Sequence, residues 1–122
     1  MKRTEARELA FKTIYSKFFN PTEDVDFTDV DEQELVFTNK ILTEYTAHTE
    51  EINELISSNL KGYTIDRLYK IDLAIIILAI VEINYVNTPK EVVINEAVEL
   101  AKKFSTEKSP KFINGFLAQI VK

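Results

Sequence analysis

The sequence predicts an all-α protein, and three observations carry that reading. Only two glycines and three prolines interrupt 122 residues that are nearly half apolar, whereas hairpin folds need many turn residues. Apolar residues recur three and four apart along most of the chain, the period of a helix with one buried face. Lys70 to Tyr85, whose Ile and Val content would also suit a strand, has no second convincing strand to pair with.

The first helix spans about Arg3 to Phe18, with Ala6, Leu9, Ala10, Thr13, Ile14 and Phe18 forming its core face. Asn20-Pro21 stops it. Glu23 to Glu34 carries seven acids and no base and reads as a loop. Asp31, with Glu34 three residues on, resembles a capping box opening a helix over Asp31 to Ala47, with Leu35, Ile41, Leu42 and Tyr45 facing inward. Thr49 is the expected cap of a third helix, whose Glu50 and Glu51 suit the positive end of its dipole and whose buried stripe is Ile52, Leu55, Ile56 and Leu60. Gly62 closes it.

Thr64 to Tyr69 reads as a single turn before a helix over Lys70 to Tyr85 that is apolar on nearly every side. Its nine-residue apolar run is bracketed by Asp72 and Glu82, far short of the ~18 residues a membrane span needs. Asn87-Thr88-Pro89 places a cap before a proline suited to a first helical turn, and Val93, Ile94, Ala97, Val98, Ala101 and Phe104 follow as a core face. Ser109-Pro110 repeats the device. The last helix sets Phe112, Ile113, Phe116, Leu117 and Ile120 on one face and Lys111, Gly115, Ala118 and Lys122 on the other.

Composition narrows the chemistry. Without cysteine and with one histidine, His48, the chain has no thiol redox site, no Cys-rich zinc site and no glycine-rich phosphate loop, so neither a metal nor a cofactor is expected. His48 falls between two helices and reads as exposed. Met1 is followed by Lys2, Arg3 and Thr4 and then an amphipathic pattern, without the apolar block of a secretory signal. Length sets residues 1–122 as one domain, expected in the cytoplasm.

Net charge is −5, but its distribution is uneven: residues 1–20 sum to +3, residues 21–60 to −10 and residues 61–122 to +2. That asymmetry suggests a polyanion-binding surface built from the two chain ends and an acidic surface elsewhere.

Val93 to Leu117, V-I-N-E-A-V-E-L-A-K-K-F-S-T-E-K-S-P-K-F-I-N-G-F-L, resembles the C-terminal signature of the NusB family. Arg3 to Ser16, R-T-E-A-R-E-L-A-F-K-T-I-Y-S, is similar to that family's arginine-bearing first helix, and Leu68 to Tyr85 matches as well. The resemblance implies six or seven helices in two packed bundles. It also implies a non-enzymatic factor in transcription antitermination that binds boxA-type single-stranded RNA jointly with NusE, a small-subunit ribosomal protein. Other Nus factors and RNA polymerase would be reached indirectly, either monomer or homodimer is compatible, and no membrane is involved.

The resemblance places RNA contact on the basic start of the first helix, Lys2, Arg3 and Arg7, and on Lys111 and Phe112. Arg3 and Arg7 share one side of their helix; they are expected at the domain edge, where guanidiniums meet phosphates in bidentate geometry, or else form a solvated helix end with Glu5 and Glu8. Lys111 and Phe112 open the last helix, where free N–H groups and a cation favour an anion and a ring can stack on a base; Phe112 also fits the core spacing. Tyr15 can stack or sit at the core edge. Asp72 can accept from a base amino group or cap its helix. Arg67 and Lys70 could extend the basic surface. Asn95 and Glu96 read as structural.

Thr4 and Glu5 stand where the family often has arginine, which predicts weaker RNA binding. If Lys2, Arg3, Arg7 and Lys111 each neutralise one phosphate, the log-log salt slope is roughly −3. Two further functions compete: a protein-interaction module on the same fold, and an RNA-modifying enzyme, for which 122 residues leave no room for a dinucleotide fold. The expectation common to the RNA-binding readings is that cations from both termini converge, with Arg7 near Lys111.

Overall fold

A computed structural model describes residues 2–20, 31–62 and 64–120; the acidic stretch 21–30, and with it the proline stop at 21, lies outside the described residues. Six α-helices and one 3-10 turn succeed one another: α1 (Lys2–Lys17), α2 (Glu32–Ala47), α3 (Thr49–Asn59), the turn Ile65–Arg67, α4 (Lys70–Asn84), α5 (Lys90–Phe104) and α6 (Ser109–Ile120). All described regular structure is helical, as the sparse glycine and the 3.6-residue periodicity require.

Helix α4 is the common axis. Every residue from Asp72 to Glu82 is buried, because α1, α2 and α3 pack on one side of it and α5 and α6 on the other. These are the two bundles. Ile75, Ile76, Ile77 and Ile80 are at most 1% exposed, each contributing about 1.5 to 3 kcal/mol of transfer free energy. A run that is apolar on all faces is stable only at such a shared centre, which is why strand-like composition gives a helix here.

On α1 the small residues Ala6 and Ala10 are fully buried, which lets the Ala6 carbonyl accept from Thr38 Oγ1 of α2 at 3.2 Å. The contacts of α1 fix its direction. Arg7 reaches Glu82 at the end of α4, whereas Phe18 lies near Lys70 at its start, so α1 and α4 run antiparallel. Against α5 the pairs are Thr4 with Glu96, Glu8 with Lys103 and Phe11 with Phe104, so α1 and α5 run in the same direction.

Asp31 caps α2 by accepting from the Gln33 backbone N–H at 2.9 Å. Thr49 does not cap α3: His48 holds that position, and the Thr49 hydroxyl donates backwards to the Tyr45 carbonyl at 2.6 Å. Gly62 has φ +83°, the left-handed conformation that favours glycine. The turn before α5 differs from expectation. Pro89 occupies the N-cap itself, Asn87 takes φ +63°, and the Thr88 N–H donates to the Glu82 carbonyl at 3.0 Å. Among the described residues no helix is long and apolar enough to cross a membrane.

Candidate nucleic-acid interface

The starting end of α4, the last turn of α5 and the first turn of α6 meet at one end of the molecule, and the second half of α1 runs up to them. Rings and ammonium groups alternate there. Phe11 lies 5.2 Å from Phe104 and 6.4 Å from Tyr15, centroid to centroid, and Tyr15 meets Phe19 edge-on at 5.2 Å and Phe18 at 6.4 Å. Lys12 and Lys103 place their Nζ atoms 5.4 and 5.3 Å from the Phe104 ring, and Lys70 sits 6.0 Å from Phe18. Such cation–ring placements are mutually attractive and keep each lysine along an apolar surface. Phe19 is 58% exposed.

One acid enters this face. Glu8 receives Lys103 at 2.9 Å and Lys12 at 3.2 Å. Burial alone would push its carboxyl up, but both lysines together hold it below its ordinary value. Two lysines share this one carboxylate, which leaves one of their positive charges uncompensated.

Two clefts continue it. The first, about 220 Å³, is lined by Arg67, Tyr69, Lys108 and Phe112 above Asp72. The second, about 400 Å³, lies between the end of α3 and α6 and shares Phe112 with the first. Phe112 stacks on Phe116 at 5.8 Å and is half-buried, packed in part against the core and lining both clefts. Lys111 is exposed beside it. Tyr15 is half-buried within the aromatic cluster.

Asp72 is buried. Its carboxylate accepts from Ser105 Oγ at 2.5 Å and Ser109 Oγ at 3.0 Å, so it ties the α5–α6 link to α4 instead of facing a base or capping its own helix. The expectation for Arg7 requires correction. Arg7 is 5% exposed; its Nε and Nη2 donate to Glu82 at 2.7 and 2.9 Å, and Nη1 donates to Glu96 at 3.1 Å. Both edges of the guanidinium are occupied by carboxylates, and none is left for phosphate.

Convergence of Arg7 with Lys111 is corrected for the same reason. Arg7 is fixed at Glu82, while Lys111 opens α6 next to Phe112, which lines the cleft above Asp72, and the ten helical steps of α4 from Asp72 to Glu82 span about 15 Å. The chain ends do meet, but through Phe11 and Lys12 against Phe104, with Lys103 on Glu8. Arg3 is exposed on the far side, its guanidinium 4.1 Å from the centre of the Phe37 ring. The Lys2 side chain lies outside the described residues. Thr4 donates to Glu96 at 2.8 Å, so Glu96 is structural, as its sequence context suggests.

Sequence reasoning passed over Lys12, Phe19, Lys103 and Phe104. The K-K-F run at the end of α5 and the F-K pair in α1 were the available signal, but only the parallel packing of α1 on α5 brings them together. His48 also differs from expectation: it is half-buried, stacked on Tyr85 at 3.9 Å and 3°, with Nδ1 2.7 Å from Glu51. Burial first, then Glu51 and Glu44, push the Tyr85 hydroxyl above its usual value.

Comparison with known proteins bears on the whole chain. The transcription antitermination protein NusB of Finegoldia magna is 37% identical over 130 residues, covering all of this chain and 95% of that protein. The solved structure of T. maritima NusB superposes with a TM-score of 0.89 at 30% identity, covering 98% of this chain and 89% of that one. A structure of antitermination factors NusB and NusE in complex with dsRNA gives 0.86 at 24% identity over 98% and 96%, a likeness of fold alone. A family model described as the NusB family matches residues 4–122, and the chain belongs to that family.

Proposed function

We propose that this chain is a transcription antitermination factor that binds boxA-type single-stranded leader RNA together with NusE, promoting transcription of ribosomal RNA operons in the cytoplasm. It works by binding and not by catalysis. The observation that carries this reading is the ring-and-lysine face from Phe19 and Tyr15 through Lys12, Lys103 and Phe104 to the cleft that Phe112 lines with Arg67, Tyr69 and Lys108. Bases stack on such rings for about 1 to 3 kcal/mol each whatever their identity, while the lysines follow the phosphates. Family membership supports the role, as does the antitermination name of its relatives.

Within this reading Lys111, Phe112 and Tyr15 contact RNA, with Lys12 and Lys103 taking the part the sequence suggested for Arg7. Lys2 and Arg3 remain candidates at the start of α1, away from the main face, and Asp72 acts by holding the α5–α6 link. The acidic residues of the second and third helices suit a basic ribosomal protein. Labelled boxA-like RNA titrated with and without NusE, at several salt concentrations, tests this. Binding should strengthen with NusE, and Lys103→Ala with Lys111→Ala should flatten the log-log salt slope by roughly 1.4. Salt-insensitive binding indifferent to both substitutions would instead mark a protein-interaction module.

A further inference from the structure

We infer that the groove between the end of α3 and α6 is a second single-stranded RNA subsite, taking nucleotides that run on past Phe112. This rests on the RNA-binding function proposed above and adds a site to it. The groove holds about 400 Å³, within the range of pockets that enclose small organic groups. Its rim carries two cations, Lys61 and Lys111, and its lining contains no acid. Neither lysine pairs with a carboxylate among the described residues, unlike Lys12 and Lys103, which share Glu8. Two unneutralised ammonium groups facing one concavity call for an anion between them.

Gly115 supplies an independent observation. It lies inside α6, exposed on the groove, and a Cβ built on it would meet nothing within 4 Å. Neither packing nor backbone conformation within the chain asks for glycine there, although glycine is the weakest ordinary helix former. What a bare Cα does provide is close approach of an outside group to the helix backbone. Asn59 and Gln119 flank the same space with amide groups, able to pair with base edges or phosphate oxygens. Phe112 lines both clefts, so a strand stacked on it at one side is led directly into the other. An RNA strand fits the groove's charge; an acidic protein segment would not extend the ring-and-lysine face.

The test compares a short boxA-like RNA with the same RNA extended by several nucleotides at either end, with NusE present, on wild type, Lys61→Glu and Gly115→Glu. Wild type should bind one extended RNA more tightly than the short one, with a salt slope steeper by roughly 0.7 to 1.4, one or two more phosphates. Each variant should remove that advantage, roughly fourfold per lost phosphate contact at 0.15 M salt, and Lys61→Glu should leave the short RNA unaffected. Lys61 is exposed outside any helix, so Lys61→Glu decides the matter if Gly115→Glu weakens α6. The subsite is refuted if extension brings no advantage, if both RNAs lose affinity equally, or if the variants lose NusE and retain RNA. Failure of wild type to bind even the short RNA would instead refute the RNA-binding function itself, and the subsite with it.

Discussion

Removing the Arg7 guanidinium should cost fold stability rather than RNA affinity. In Arg7→Ala the Glu82 carboxylate, whose side chain is 1% exposed, loses both its charge-assisted bonds, and Glu96, 20% exposed, loses one. Breaking a buried pair by deleting one partner costs about 3 to 5 kcal/mol, because the remaining charge stays desolvated. With an unfolding entropy of about 2.1 cal/mol/K per residue, 122 residues convert that loss to a fall in Tm of about 12 to 20 °C. Thermal and urea unfolding followed by circular dichroism measure it directly. A double-mutant cycle with Glu82→Gln should show strong coupling, since the neutral amide no longer needs the cation. RNA affinity, measured below the variant's transition, should change little. Destabilisation under about 1 kcal/mol together with a large loss of RNA affinity would refute the reasoning, since only a guanidinium free at the surface behaves that way.

Glu8 gives a pH signature. Its carboxyl is held below the ordinary value of 4.5 by Lys103 and Lys12, against burial, so its folded pKa lies under its unfolded one and the stabilisation is present above the unfolded value. The stability difference between wild type and Glu8→Gln should be full near pH 7 and vanish as pH falls through the lowered folded value; a difference independent of pH would exclude the ion pairs as its source. The two glycines should respond oppositely to alanine. Gly115→Ala adds a Cβ in open space within a helix and should raise stability by roughly 1 kcal/mol, whereas Gly62→Ala must hold φ near +83° and should lower it. Equal signs in urea melts would contradict the backbone assignment.

Helix periodicity and glycine scarcity made every described helix legible from the chain alone, with bounds close to those observed, because an amphipathic stripe depends only on residues three and four apart. Caps were less legible. Asp31 was readable from a short side chain before its helix, but Thr49 was not, since its hydroxyl finds the Tyr45 carbonyl one turn back, a competition that only the chain's path decides.

By itself the sequence determined the helical class, the central burial of Leu73 to Val81, the family resemblance, and the concentration of positive charge toward the chain ends. All of these derive from local spacing or from composition. Only the tertiary structure decided which cations are available. Arg7 and Lys12 lie five residues apart on one helix, yet packing α1 antiparallel to α4 and parallel to α5 puts Arg7 between Glu82 and Glu96 and leaves Lys12 at the surface beside Phe104. Whether a charged side chain meets solvent or a carboxylate depends on partners 75 and 89 residues away in the chain, and helical periodicity carries no information over that separation.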